Sequence, residues 1–191
     1  MKKFNLTVLM ATTLIIAGCA MDEGQKTAEE HRDAGIAYHR VGEHQKAIEE
    51  YNKAIELDPE FVKAYATRGI AYYHLGKHQR TIEDCTKAIE LDPEFGRAYA
   101  IRGTGYYKLG EHQLAIKDYE KAIELNPERA GSYYNLACCY SLQGDKDKAI
   151  EYLRQAIEKG YNNFERMKKD TDLDNIRNDP RFIKLIQSDN K

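Results

Sequence analysis

The chain repeats itself every 34 residues. Leu57-Asp58-Pro59-Glu60, Leu91-Asp92-Pro93-Glu94 and Leu125-Asn126-Pro127-Glu128 recur in step, each preceded by a Lys-Ala-Ile-Glu run beginning at Lys53, Lys87 and Lys121. Residues 62–95 and 96–129 are identical at 20 of 34 positions. A unit this short cannot bury an apolar face alone, so its copies must stack on one another. Number each unit 1 to 34 with the proline at 32. Position 8 then holds Gly35, Gly69, Gly103 and Ala137; position 20 holds Ala47, Thr81, Ala115 and Ala149; position 27 holds Ala54, Ala88, Ala122 and Ala156. Small residues let helices approach closely, and large ones fill the spaces between turns. Gly42, Gly76, Gly110 and Gly144 at position 15 mark the turn within each unit, and the proline marks the turn between units. The pattern predicts a helix pair per unit. The A helices lie near 28–41, 62–75, 96–109 and 130–143, and the B helices near 45–57, 79–91, 113–125 and 146–159.

This register resembles the tetratricopeptide repeat (TPR) over residues 28–161, as units 28–61, 62–95, 96–129 and 130–161. The resemblance implies an all-α fold, a right-handed α-solenoid of four helix-turn-helix repeats. The fourth unit lacks the proline and ends in Lys159-Gly160-Tyr161. Residues 162–191 then read as a helical capping extension. It contains a helix within Asn162 to Lys169 and another begun by Asp179-Pro180, with Phe182, Leu185 and Ile186 on one face. A solenoid end needs such a cap, or its last apolar face meets water. Removing residues 170–191 should therefore lower solubility.

The N-terminus reads as an address. Met1-Lys2-Lys3 is followed by a mostly apolar run from Phe4 to Ala17. That run is shorter than the roughly 20 residues needed to span a bilayer and fits a secretory leader. Its end, Ile16-Ala17-Gly18-Cys19, resembles the bacterial lipobox. The resemblance implies a signal peptide at 1–18, cleavage after Gly18 and lipidation of Cys19. Ala20, where an Asp would signal inner-membrane retention, implies the outer membrane facing the periplasm if the source is Gram-negative. Residues 19–27 form the lipidated terminus and a short linker. The eight residues after Cys19 reach at most about 28 Å, which keeps the solenoid near the membrane.

Composition narrows the function. Lys plus Arg number 29 against 31 Asp plus Glu, a near balance that does not suit a sequence-blind nucleic-acid binder. No Ser-His-Asp order, carboxylate pair or phosphate loop stands out, so no catalytic residue, cofactor or metal ligand is assigned. His44, His78 and His112 all fall at position 17. Stacked repeats hold them too far apart for one metal, and they read as substitutes for a turn aromatic. Cys85 and Cys139 fall at core positions and Cys138 at a groove position; all three are expected as free thiols. Arg68 and Arg102 at position 7 accompany Asp84 and Asp118 at position 23, which reads as an A-to-B ion pair in each of two repeats.

In the TPR family the A helices line a concave face through positions 2, 5, 6, 9, 12 and 13. Carried onto this chain, those positions are Arg32, Ile36, His39 and Arg40 in the first repeat, and Lys63, Thr67, Ile70, Tyr73 and His74 in the second. The third supplies Arg97, Ile101, Thr104, Tyr107 and Lys108, and the fourth Tyr134, Asn135, Cys138 and Leu142. Tyrosines at positions 4, 11 and 24 account for nine of the chain's 14, and Tyr73, Tyr107 and Tyr134 among the rest face this groove. Their replacement should leave folding intact. A basic, aromatic groove suits a protein or peptide ligand with acidic and apolar side chains. A carboxylate clamp of the chaperone-tail type needs two asparagines where this chain has Ile36 and Thr67, and is excluded. The expectation is a non-enzymatic, membrane-anchored adaptor in the cell envelope. An assembly factor or holdase for outer-membrane, pilus or secretion components is the alternative, and an envelope enzyme a remote third.

Overall fold

The computed structural model describes residues 26–187. The expected lipidation at Cys19 and the leader before it lie outside the described residues. The described chain is helical: α1 Ala28–Arg40, α2 His44–Leu57, α3 Val62–His74, α4 His78–Leu91, α5 Gly96–Lys108, α6 His112–Leu125, α7 Ala130–Leu142 and α8 Lys146–Glu158. Each boundary lies within one residue of the position that the 34-residue register predicts. The array opens on a capping box: Thr27 N–H donates to Glu30 Oε2 at 2.7 Å, and Glu30 N–H donates to Thr27 Oγ1 at 3.2 Å. Among the described residues no helix is long and apolar enough to cross a membrane.

The register's small residues have measurable reasons. A Cβ added at Gly35 would stand 2.4 Å from the Tyr51 ring, and one at Gly103 would stand 3.0 Å from the Tyr119 ring. The glycine at position 8 thus makes room for the large residue at position 24 of the same repeat. Each A-to-B turn glycine has positive φ, from 71° at Gly76 to 82° at Gly42. Between repeats, Asp58, Asp92 and Asn126 accept from the N–H two residues on, at 3.0, 3.0 and 3.2 Å. Tyr65 and Tyr133 at position 4 donate their hydroxyls to the carbonyls of Pro59 and Pro127. Much of the tyrosine surplus is therefore spent on fixing turns and filling helix junctions.

The ion pairs form and reach further than one repeat. Arg68 donates through Nε and Nη2 to both oxygens of Asp84, at 2.8 and 2.6 Å, and through Nη1 to Asn52 Oδ1 at 2.7 Å. Arg102 holds Asp118 in the same bidentate way and donates to Thr86 Oγ1 at 3.2 Å. Each guanidinium ties its own helix pair to the B helix of the preceding repeat. In the first repeat His31 Nδ1 meets Glu50 at 2.7 Å instead. In the fourth, Tyr152 takes position 23 and stacks on Tyr140.

The extension comprises α9 Phe164–Lys169, a 3-10 turn Thr171–Leu173 and α10 Pro180–Gln187. Phe164, Met167, Leu173, Ile176 and Phe182 join the core built by α6, α7 and α8. Helix α10 caps α8, where Arg181 meets Asp147 at 2.8 Å. The 3-10 turn does something the sequence did not announce. It crosses α7 on the side that carries Tyr134 and Cys138, and Asn175 Nδ2 donates to the Ser141 carbonyl at 2.7 Å. The extension is thus a cap and also a partial filling of the concave face.

Candidate functional site: a basic groove along the A helices

Depressions run along the A helices and share their walls. One is lined by Arg32, Ile36, Lys63, Thr67, Phe95 and Arg97; the next by Ile36, His39, Arg40, Tyr51, Thr67, Ile70 and Arg97. A third takes up Ile70, Tyr73, His74, Ile101, Thr104 and Asn135, with Arg129 on its rim. The last holds Tyr73, Thr104, Tyr107, Lys108, Asn135, Cys138 and Asp172. Ile36, Thr67 and Arg97, then Ile70, then Tyr73, Thr104 and Asn135 belong to two neighbours each, so the depressions form one continuous groove. Every groove residue expected from the register lines it, apart from Tyr134 and Leu142.

Two of those expected residues are covered and a third is partly covered. Tyr134 is 1% exposed, Cys138 is 3% exposed and Tyr107 is half-buried. Tyr134 donates to Asp170, and Tyr107 donates to Asp172. Cys138 Sγ and one oxygen of each carboxylate lie within 4.8 Å of one another. Burial first, then the Asp170 and Asp172 charges, push the Cys138 thiol above its ordinary value, so it stays protonated. Asp170 responds to opposing influences. Burial raises it, but the Tyr134 hydroxyl, the Asp172 N–H and Arg166 together hold it below its usual carboxylate value. These residues form a hydrogen-bonded lock between extension and solenoid, where the register alone expects an open contact surface. The triple replacement of Tyr73, Tyr107 and Tyr134 would therefore damage folding, contrary to the sequence-based expectation.

The open part of the groove is electropositive. Arg40, Lys63, Arg97 and Arg129 have no ion-pair partner among the described residues. Arg129 is pulled below its ordinary value by burial first and then by the Arg97 charge. Arg129 shares its depression with Ile70 and Ile101, and Arg97 lines the two depressions next to it. Arg32 is engaged, pairing with Asp33 at 2.6 Å and lying over the Phe61 ring. Arg129 escaped the register-based reading because position 34 lies in the turn before helix A. The signal was present: position 34 is Phe61 and Phe95 in the two preceding turns, and Arg129 breaks that pattern.

Histidines also gather at the N-terminal half of the groove. His39 lies in the last turn of α1, His44 begins α2 and His74 ends α3. Their ring centroids are 4.8 Å apart for His39 and His44, and 4.9 Å for each remaining pair. His78 and His112, which share His44's register position, pack instead against Tyr73 and Tyr107.

Comparison with known proteins places the fold. Family models described as TPR repeat or tetratricopeptide repeat match residues 35–76, 62–95 and 96–159. A crystal structure of MamA protein is 30% identical, over 75% of this chain and 76% of that one, with a TM-score of 0.63. The first TPR of Spaghetti (RPAP3), bound to the HSP90 peptide SRMEEVD, is 30% identical over 56% of this chain and 86% of that one, with a TM-score of 0.55. The second TPR domain of human RPAP3, in complex with the HSP70 peptide SGPTIEEVD, is 31% identical over 59% and 93%, with a TM-score of 0.56. No curated protein matches the chain.

Proposed function

The chain belongs to the tetratricopeptide-repeat family, and from that premise we propose that it is a non-enzymatic adaptor. In this reading its open groove holds an extended acidic and apolar segment of a partner protein. The observation that carries the reading is the row of uncompensated cations, Arg40, Lys63, Arg97 and Arg129, interleaved with Ile36, Ile70, Ile101 and Tyr73 in one groove. A carboxylate would relieve the Arg97–Arg129 repulsion, and an apolar side chain beside it would cover the isoleucines. The RPAP3 domains bind peptides that combine paired glutamates with valine and a final aspartate. Those peptides have the chemistry this groove suits, although Ile36 and Thr67 stand where a carboxylate clamp would need asparagines.

The setting proposed for the adaptor is the bacterial cell envelope, with an anchor on Cys19 and the groove held close to the membrane. The support is the Ile16-Ala17-Gly18-Cys19 run behind a short apolar segment, and the short linker to Thr27. Assembly or holdase work on envelope components would use the same groove with many clients. A photoreactive residue at Ile101, introduced in the native membrane, should crosslink to one dominant protein partner. The same probe at Lys87 on a B helix should not. Crosslinking from Lys87 alone would refute the groove reading, and a broad smear of unfolded clients from Ile101 would favour the holdase.

A further inference from the structure

The edge of the solenoid where A helices turn into B helices carries an aliphatic row that the core does not use. Position 14 holds Val41, Leu75 and Leu109, the residues that follow α1, α3 and α5, and they are 74%, 38% and 43% exposed. Leu142, at the end of α7, is exposed beside them. A single exposed aliphatic is ordinary, but the same position in three stacked repeats makes a row. The helix ends that carry it abut. His39 and His74 meet at 4.9 Å across the first two repeats, and Tyr73 and Tyr107 wall one depression across the next two.

Cations alternate with the row. Arg40 precedes Val41, Lys77 follows Leu75 by two residues, and Lys108 precedes Leu109. None of these cations has a carboxylate partner among the described residues; Lys77 and Lys108 lie over the rings of Tyr72 and Tyr107 instead. Of the acids in these turns, Glu43 meets Lys46 at 3.4 Å and Asp145 meets Lys148 at 3.6 Å, while Glu111 stands against the free cations. The opposite edge has the reverse sign. Exposed Leu57 sits there between Glu56 and Asp58, and Asp92, Glu94 and Glu128 recur along it. A cation near a helix C-terminus suits the helix dipole, but that does not account for the aliphatic side chain beside it.

We propose that the A-to-B turn edge rests on an anionic lipid surface. Val41, Leu75 and Leu109 enter the headgroup region, and Arg40, Lys77 and Lys108 meet lipid phosphates. Basic side chains are drawn to an anionic leaflet, and aliphatic ones gain by leaving water. The acidic edge would be repelled by the same surface. Helix α1 has 13 residues and is about 20 Å long, and the eight residues after Cys19 reach at most about 28 Å. That linker can therefore run beside α1 and bring an anchor under the edge at its far end. The setting rests on the envelope reading above, so the test supplies the anchor chemically.

The chain from Cys19 onward is coupled through the Cys19 thiol to a maleimide-bearing lipid in vesicles; Cys85, Cys138 and Cys139 are buried. The chain has no tryptophan, so Leu75→Trp provides a single reporter. On phosphatidylglycerol vesicles its emission should shift to the blue and be quenched by brominated acyl chains. On phosphatidylcholine vesicles the quenching should be at least about ten-fold weaker, because each basic side chain gains several-fold from an anionic surface. Lys77→Glu with Lys108→Glu should bring the phosphatidylglycerol signal down to the phosphatidylcholine level. Leu57→Trp, on the acidic edge, should keep the emission of a tryptophan in water. Circular dichroism verifies that each variant folds. No quenching of Leu75→Trp, equal quenching of Leu57→Trp, or quenching indifferent to charge reversal would overturn the proposal. A blue shift that grows with protein concentration without lipid would also overturn it, by giving the row to a second copy of the chain. None of these outcomes touches the groove reading.

Discussion

One hydroxyl fixes the direction of Tyr134, and it shows where a register-based reading stops. Position 5 of a repeat is a groove position, so the sequence points Tyr134 outward. The Asp170 carboxylate, supplied by the aperiodic extension, turns that position into a buried hydrogen bond. Tyr134→Phe should keep the ring packed but leave Asp170 short of a donor, lowering stability by about 1–3 kcal/mol. Urea unfolding would measure the loss. The pH dependence carries the same signature. Asp170 is held below its ordinary value of 3.8, so its contribution is complete above that value and is lost as pH falls through the lower, folded one. The unaltered chain should therefore lose more stability on acidification than Tyr134→Phe does, and equal acid sensitivity would remove Asp170 from the account. Glycine positions were legible without a structure because a missing side chain at position 8 has one cause. The histidine cluster was not, since His39, His74 and His44 occupy positions 12, 13 and 17 and meet only across two turns.

Elements are joined by devices of unequal legibility. The Arg68–Asp84 and Arg102–Asp118 pairs are read from sequence because both partners sit in one repeat, 16 residues apart. Their third contacts, to Asn52 and Thr86, require knowing how one repeat stacks on the next. Burial drives the Asp84 carboxyl up, and Arg68 pulls it partly back. Arg68→Met should thus strand a buried carboxylate and cost about 3–5 kcal/mol, whereas Arg68→Met with Asp84→Leu should cost clearly less. Equal losses in urea unfolding would show that the pair does not act as a unit. The terminal helix was legible from Asp179-Pro180 and its apolar face, but the fold-back of the 3-10 turn was not, because no repeat supplies a template for it. A chain ending at Asn163 should expose Cys138. Its thiol should then react with iodoacetamide in the folded state much faster than in the intact chain, where it is 3% exposed. Equal rates, with helicity retained, would mean the extension does not cover α7 in solution.

At the scale of the whole molecule, the repeat explains the shape and the departures from it explain the use. Four stacked helix pairs make a continuous groove, the extension fills its C-terminal end, and Arg129 adds a cation beyond the register. The open portion is thereby confined to the first three repeats and the start of α7, and it is basic within a chain of net charge -2. The proposed anchor has its own check: Cys19→Ser should abolish labelling by fatty acid and release the protein from membranes, and retention after a carbonate wash would count against it. The central claim is that the uncompensated groove cations hold the partner. The most direct measurement is capture of the Ile101-crosslinked partner by the intact chain and by Arg97→Glu with Arg129→Glu, both shown to be folded by circular dichroism. The account predicts at least about a ten-fold loss of capture in the charge-reversed chain, because truncated or reversed charge contacts in an interface cost several kcal/mol. Undiminished capture by the folded variant would contradict it and move the binding surface off the groove.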